Sequence, residues 1–191
     1  MSDEVLHRHG QALEEAFFVE KNRELLAKLR DQAARDDLRA SLREAAGSVD
    51  DATLDYLVTH GIRPETLAAL KLVPLVTVCW ANGVVESEER ELVLQSAEKQ
   101  GLQPGVPGYE LLQSWLETRP DPALFAAWKN YVHALASQAD PATISSLKQE
   151  ILGTSREVAD AAGKLFGYFL GTSAEEKAVL REIEHAFERT A

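Results

Sequence analysis

The densest group of potential metal-binding oxygens lies in residues 79–90, Cys-Trp-Ala-Asn-Gly-Val-Val-Glu-Ser-Glu-Glu-Arg. Asn82, Glu86, Glu88 and Glu89 offer side-chain oxygens of the kind that hold a hard divalent cation such as Ca²⁺ or Mg²⁺. The spacing is not that of a calcium EF-hand, which places acids at alternate positions before its glycine. The plainer reading of the same residues is a left-handed Asn-Gly turn followed by a helix capped at Ser87. Glu88 and Glu89 then fall in the first turn, where acids suit the helix dipole.

Other chemistry is thinly represented. Cys79, the single cysteine, sits in the apolar run Val76-Thr77-Val78-Cys79-Trp80 and reads as a small buried hydrophobe. A nucleophilic thiol would need a neighbouring base, and His60, the nearest histidine in the chain, lies across a helix boundary. His7, His9, His60, His133 and His185 are scattered, with no HExxH and no Cys/His cluster. Phosphate loops, GxSxG and GxGxxG are absent. No catalytic residues are therefore assigned, and the expectation is a protein that is not an enzyme and needs no cofactor beyond a possible divalent cation. Gly163, Gly167 and Gly171 share one helix face at a spacing of four. Mid-helix glycine costs about 1 kcal/mol against alanine, so close helix packing or a flat surface for a partner is expected there. Trp115 and Trp128 are expected to pack together in the core around the 119–122 turn, the alternative being an exposed aromatic anchor for a partner.

The composition limits what such residues serve. The chain has 191 residues, 45% hydrophobic and 27% charged, in the range of a folded domain. At this size roughly 70% of the unfolded surface is buried without disulfides or structural metal. The N-terminus is charged and lacks an apolar leader segment, and no run reaches membrane-spanning length. A cytoplasmic location and no membrane insertion are the expectations. The net charge of −11 argues against nucleic acid as a partner. Residues 21–43 run against the trend: seven Lys/Arg face four acids, leaving +3 there and −14 elsewhere. Adding Glu20 and Glu44 reduces the window to +1. Such a segment is a solvated helix face or docks on an acidic surface, including that of a second copy.

The elements that must position these residues are helical. Period-2 alternation is absent and helical spacing recurs throughout. Leu6, Leu13, Phe17, Phe18, Leu25, Leu26 and Leu29 mark one amphipathic segment over about 3–32, and Leu38, Leu42 and Ala45 a second that Gly47 stops. These two form a charged helical arm or hairpin over 1–47, with Phe17, Phe18, Leu25 and Leu29 as its partner-facing residues. The core then covers 48–191. Ser48 or Asp50 caps the next helix. Residues 64–81 are apolar nearly all round and belong at the centre of the core, with Pro74 kinking or restarting the helix. Arg119-Pro-Asp-Pro opens a further helix, Asp140-Pro141 another that ends at Gly153, and 154–170 one more. Ser173-Ala-Glu-Glu176 is a capping box for the last. The fold class is thus all-α, a bundle of about ten helices. Ser87-Glu-Glu-Arg and Ser173-Ala-Glu-Glu also hint at an internal duplication.

The residues Trp80-Ala81-Asn82-Gly83, Glu86 and Glu88-Glu89-Arg90 resemble the signature of TerB-like domains, the tellurite-resistance-associated helical family. The pattern is an apolar helix, Ala-Asp-Gly, a small or acidic turn and a Glu-Glu-Arg helix start. The resemblance is firm over about 64–102, looser beyond and weak before 60. It is similar in particular to bacterial proteins that join such a core to a charged N-terminal arm. It implies an all-α core, a stress-associated or membrane-associated complex, metal-ion involvement and no established catalysis. Asn82 replaces the usual acid before the glycine, which removes one negative charge from the cation position. Together these readings point to a non-catalytic protein-interaction module, its arm binding a protein partner or a second copy. The alternative is a divalent-cation or metal-stress-response protein using the 82–89 loop.

Overall fold

The computed structural model describes residues 2–47, 49–162 and 172–188, with side chains from Glu20 onward except those of Gln138 and Ala162. Its described residues are helical, with no strand among them. The chain divides into two compact units, residues 1–40 and 41–191.

The first unit consists of most of α1, Ser2–Ala46. The two arm segments expected from the sequence are one continuous helix, so the hairpin alternative is overturned. Between Gln11 and Ala46 there is neither glycine nor proline, and residues 33–46 are mostly Ala, Arg, Leu and Glu, all strong helix formers. Gly10 alone does not break it. Gly47 does stop it: its φ is 77° and its N–H bonds back to the Arg43 carbonyl at 3.1 Å. Every described side chain from Glu20 to Asp37 is exposed.

The second unit opens with the last turn of α1, whose Leu42 and Ala46 are buried. Helix α2 (Asp51–Thr59) is capped by Asp50, whose carboxylate accepts the Thr53 N–H at 3.0 Å. Residues 64–79 do not form one helix. A 3-10 turn (Pro64–Thr66) leads into α3 (Leu67–Leu70), and α4 (Val73–Cys79) restarts beyond it. Pro74 occupies the second position of α4, where its missing N–H leaves no helix bond unmade. As its composition predicts, α4 is central: it packs against the five helices that follow, α5 (Ser87–Lys99), α6 (Pro107–Glu117), α7 (Ala123–Gln138), α8 (Pro141–Ala162) and α9 (Ala174–Ala186). Asn130 on α7 ties α2 in by donating to the Thr53 hydroxyl at 2.9 Å.

Two expectations are corrected here. Helix α8 passes through Gly153 without ending. Local sequence favours a stop at glycine, but the turns on either side bury Ile151, Leu152, Ser155, Val158 and Ala159, and packing of that stripe outweighs the weak propensity. The two tryptophans are both buried but do not pair. Trp128 stacks on Phe125 at 5.3 Å and meets Phe187 edge-on at 6.0 Å, while Trp115 serves elsewhere. No described helix is long and apolar enough to cross a membrane.

Gly153 keeps ordinary helical backbone, and a Cβ added there meets nothing within 4 Å. Gly153→Ala is therefore expected to stabilise the protein by roughly 0.5–1 kcal/mol, a rise of about 1–4 °C in melting temperature. Differential scanning calorimetry checks it, and a fall in melting temperature would contradict the open space above Gly153.

Candidate functional site

The stretch 79–90 joins α4 to α5, and its geometry follows from local chemistry. After Cys79 the chain leaves the helix, and Gly83 takes a φ of 93° that a side chain would strain. Asn82 stabilises the turn by accepting the Val84 N–H at 3.0 Å on its own Oδ1. Helix α5 then starts one residue earlier than expected. Its N-cap is Glu86, in extended backbone, and Ser87 is the first helical residue. With the cap at Glu86, the third helical residue is Glu89, whose Oε2 accepts the Glu86 N–H at 2.9 Å. A cap at Ser87 would have put the Arg90 cation there, against the dipole.

The four candidate cation ligands therefore point different ways. Asn82 and Glu88 are exposed, Glu86 is half-buried and Glu89 is 0% exposed. Among the described residues no three His, Cys, Asp or Glu side chains are grouped to hold a metal ion. Instead Glu89 heads the buried stripe of α5, four residues before Val93 and eight before Ala97. The last helix repeats the arrangement. Ser173 caps α9 as the sequence predicts: its hydroxyl accepts the Glu176 N–H at 3.1 Å, and Glu176 Oε2 accepts the Ser173 N–H at 2.6 Å. Glu176 is 2% exposed and leads into Ile183 and Ala186.

The two buried carboxylates are close enough to act on each other, and together on Cys79. Burial pushes the Glu89 carboxyl up to about 7, working against the hydrogen bond from Glu86, and the negative charge of Glu176 pushes the same way. Burial, then the Glu89 charge, holds the Cys79 thiol far above its usual range, so it is no nucleophile. Glu89 Oε1, Glu86 Oε2 and the Ser155 hydroxyl on α8 are buried without hydrogen-bond partners among the described residues.

The loop also reaches across the core to α6. Trp80 donates from Nε1 to the Trp115 carbonyl at 2.8 Å, and Arg90 donates from Nη2 to the Leu116 carbonyl at 2.8 Å. Two carbonyls of the last turn of α6 are thus satisfied by side chains rather than by water. The segment that follows, Thr118-Arg-Pro-Asp-Pro122, is anchored at its far end by Asp121, which accepts the Ala123 N–H at 2.8 Å. Two adjoining depressions flank it. One, of about 120 Å³, lies between α4 and α7 and is lined by Val73, Thr77, Trp80 and Phe125. The other, of about 300 Å³, lies towards the end of α2 and is lined by Tyr56, His60, Trp115 and Thr118. Arg119, Pro120, Asp121 and Leu124 line both. In sequence Arg119-Pro-Asp-Pro carries only helix punctuation; two prolines flanking an acid beside an arginine are the available signal for a conformationally restricted rim.

The interaction residues expected on the arm are placed separately. Leu25 and Leu29 are 56% and 58% exposed. Phe17 and Phe18 lie on α1, but their side chains fall outside the described ones, and Gly163, Gly167 and Gly171 lie outside the described residues altogether. No family model matches the chain, and comparison with curated proteins and with solved structures returns no match either.

The Glu89 carboxyl gives stability a definite pH dependence. Its folded value near 7 lies above its ordinary 4.5, so the protonated form is favoured by folding. Its stabilisation is complete below pH 4.5 and is lost as the pH rises through 7, roughly 3 kcal/mol in all. Glu89→Gln keeps an oxygen for the Glu86 N–H and does not titrate. The melting temperature of the wild type is expected to fall relative to this variant by several degrees between pH 5 and pH 8. Parallel curves would show that Glu89 does not change charge in this window.

Proposed function

We propose that the chain is a non-catalytic helical protein-interaction module with a stress-associated, cytoplasmic role, whose charged arm binds a protein partner. The observation that carries this reading is the exposed apolar stripe of α1. Leu25, Leu26 and Leu29 are 54–58% exposed, within a stretch where every described side chain faces solvent. An isolated helix does not hold such leucines exposed without a use, because helix stability in proteins comes from packing an apolar face. The stripe lies inside the basic window 21–43, whereas the chain as a whole carries −11. Charge complementarity therefore favours a second copy of the chain as the partner, and nucleic acid remains disfavoured. The TerB-like assignment rests on residues 79–90, and an all-α core agrees with it. The thiol of Cys79, buried and held protonated, supports a role without catalysis.

A second reading is favoured by one observation, the unpartnered buried oxygens of Glu86 and Glu89. A divalent cation entering near the 82–89 loop would satisfy both, with Asn82 and Glu88 reachable only by rearrangement. Under this reading Ca²⁺, Mg²⁺, Zn²⁺ or Mn²⁺ raises the melting temperature relative to EDTA by several degrees, since saturating ligand adds about 2.7 kcal/mol at a hundredfold excess over its dissociation constant. The rise disappears in Glu86→Ala. No shift with any of the four ions removes the cation reading.

The interaction reading is tested by light scattering of the full chain across a concentration series. The expected result is a mass that grows with concentration, more steeply at low salt than at high salt, and reverts to that of the monomer when Leu25, Leu26 and Leu29 are all serine. These side chains are exposed, so the substitutions leave the fold intact. A monomer mass at every concentration and salt eliminates the second copy as partner.

A further inference from the structure

The groove beside residues 117–122 has features that neither the arm nor the 82–89 loop explains. We propose that it is a binding site for the C-terminal end of a peptide, whose apolar last side chain sits against Trp80 and Phe125 and whose carboxylate rests on Arg119.

The smaller depression sets the first requirement. Its walls are Val73, Trp80, Phe125 and the proline rings of 120 and 122, and its volume is about 120 Å³. An apolar cavity of about 150 Å³ takes a benzene ring, so this one takes a single aliphatic side chain and not a fatty-acid tail. Its floor is fixed before any ligand arrives. The Trp80 indole is held by the Trp115 carbonyl, and Phe125 is stacked on the fully buried Trp128. Little ordering entropy remains to be lost on binding.

Arg119 sets the second requirement. It lines both depressions and is exposed, and it has no carboxylate partner or hydrogen bond among the described residues. The nearby acids are otherwise engaged: Glu117 lies 3.9 Å from Arg90, and Asp121 takes the Ala123 N–H. In a chain of net charge −11, an unpaired guanidinium at the mouth of an apolar pocket matches an incoming carboxylate, which it can grip through two parallel bonds.

The larger depression decides between a small molecule and a peptide. It offers about 300 Å³ beside the smaller pocket, shares Arg119 and Asp121 with it, and adds the polar groups of Tyr56, His60 and Thr118. Tyr56 is a hydrogen-bond donor there: burial and the Asp121 carboxylate push its hydroxyl up to about 12, so it keeps its proton. His60 bonds the Tyr56 carbonyl through Nδ1 at 2.9 Å and stacks on the Tyr56 ring, leaving Nε2 outward. With Thr118 and the second Asp121 oxygen, these groups match the alternating N–H and C=O of a peptide backbone. A free amino acid would leave them unused.

The test is fluorescence anisotropy with the full chain and labelled hexapeptides of sequence Ser-Gly-Ser-Gly-Ser-X, with X as Leu, Ile, Val, Phe or Ala, each as free acid and as C-terminal amide. At least one aliphatic free acid is expected to bind below millimolar concentration, with Ala weakest. Its amide is expected to bind at least about tenfold more weakly. Arg119→Gln, an exposed change, lowers affinity for the acid by a similar factor and leaves that for the amide unchanged. Thr77→Leu, which fills the apolar pocket, weakens both. Equal binding of acid and amide, an unaffected Arg119→Gln variant, or no binding by any free acid overturns the proposal. N-acetyl-leucine binding as tightly as the hexapeptide overturns the peptide as occupant in favour of a small molecule.

Discussion

The Glu89 carboxylate, reaching back inside the core to the Glu86 N–H, is the constraint on which the second unit turns. It closes the N-terminus of α5 at the edge of the core, and by doing so fixes where α5 starts. That start decides which way Arg90 projects, as the end of α4 decides it for Trp80. Both then grip carbonyls of α6, 35 and 26 residues further along. A one-residue slip in the cap would turn Arg90 out of reach of Leu116 and release the end of α6. The rim at 118–122 thus depends in part on one hydrogen bond at the start of α5.

The same device appears twice, and the repetition has an electrostatic cost. In both α5 and α9 the third helical residue is a glutamate that reaches back to its cap and also leads the core-facing stripe. This follows from helical geometry, because the third, seventh and eleventh positions share a face. Two such helices packed around α4 bring two carboxylates into one apolar interior. Like charges in low dielectric repel strongly, and the conflict shows in the Glu89 carboxyl, which burial and the Glu176 charge push up to about 7. The sequence likeness of Ser87-Glu-Glu-Arg to Ser173-Ala-Glu-Glu is one residue out of register with this device, because Glu86 corresponds to Ser173 as cap and Glu89 to Glu176.

How much of this was legible depended on how local the governing interaction is. The cap at Ser173–Glu176, the Gly47 stop and the restart at Pro74 involve residues within four positions of each other, and sequence identifies them. The start of α5 was misplaced by one residue because Glu86 and Ser87 both carry acceptable cap oxygens, and only the burial of Glu89 discriminates between them. Gly153 was read as a terminus because its propensity is local while the stripe that overrides it packs against α4 and α5. The break expected within α1 had no breaker residue behind it. The candidate ligands Asn82, Glu86, Glu88 and Glu89 look like a set in one dimension, yet helical geometry separates Glu88 from Glu89 by about 100°. The groove was invisible, since its walls run from Tyr56 to Phe125 and only the fold assembles them.

Cys79 gives the buried centre an observable of its own. It is the chain's single thiol, fully enclosed on the helix that packs against the five that follow, and its raised pKa keeps it in the unreactive protonated form. An alkylating reagent can meet it only when α4 parts from its neighbours. The rate at which the native protein becomes labelled therefore counts openings of the innermost helix. Each such opening of the core registers as a change in mass.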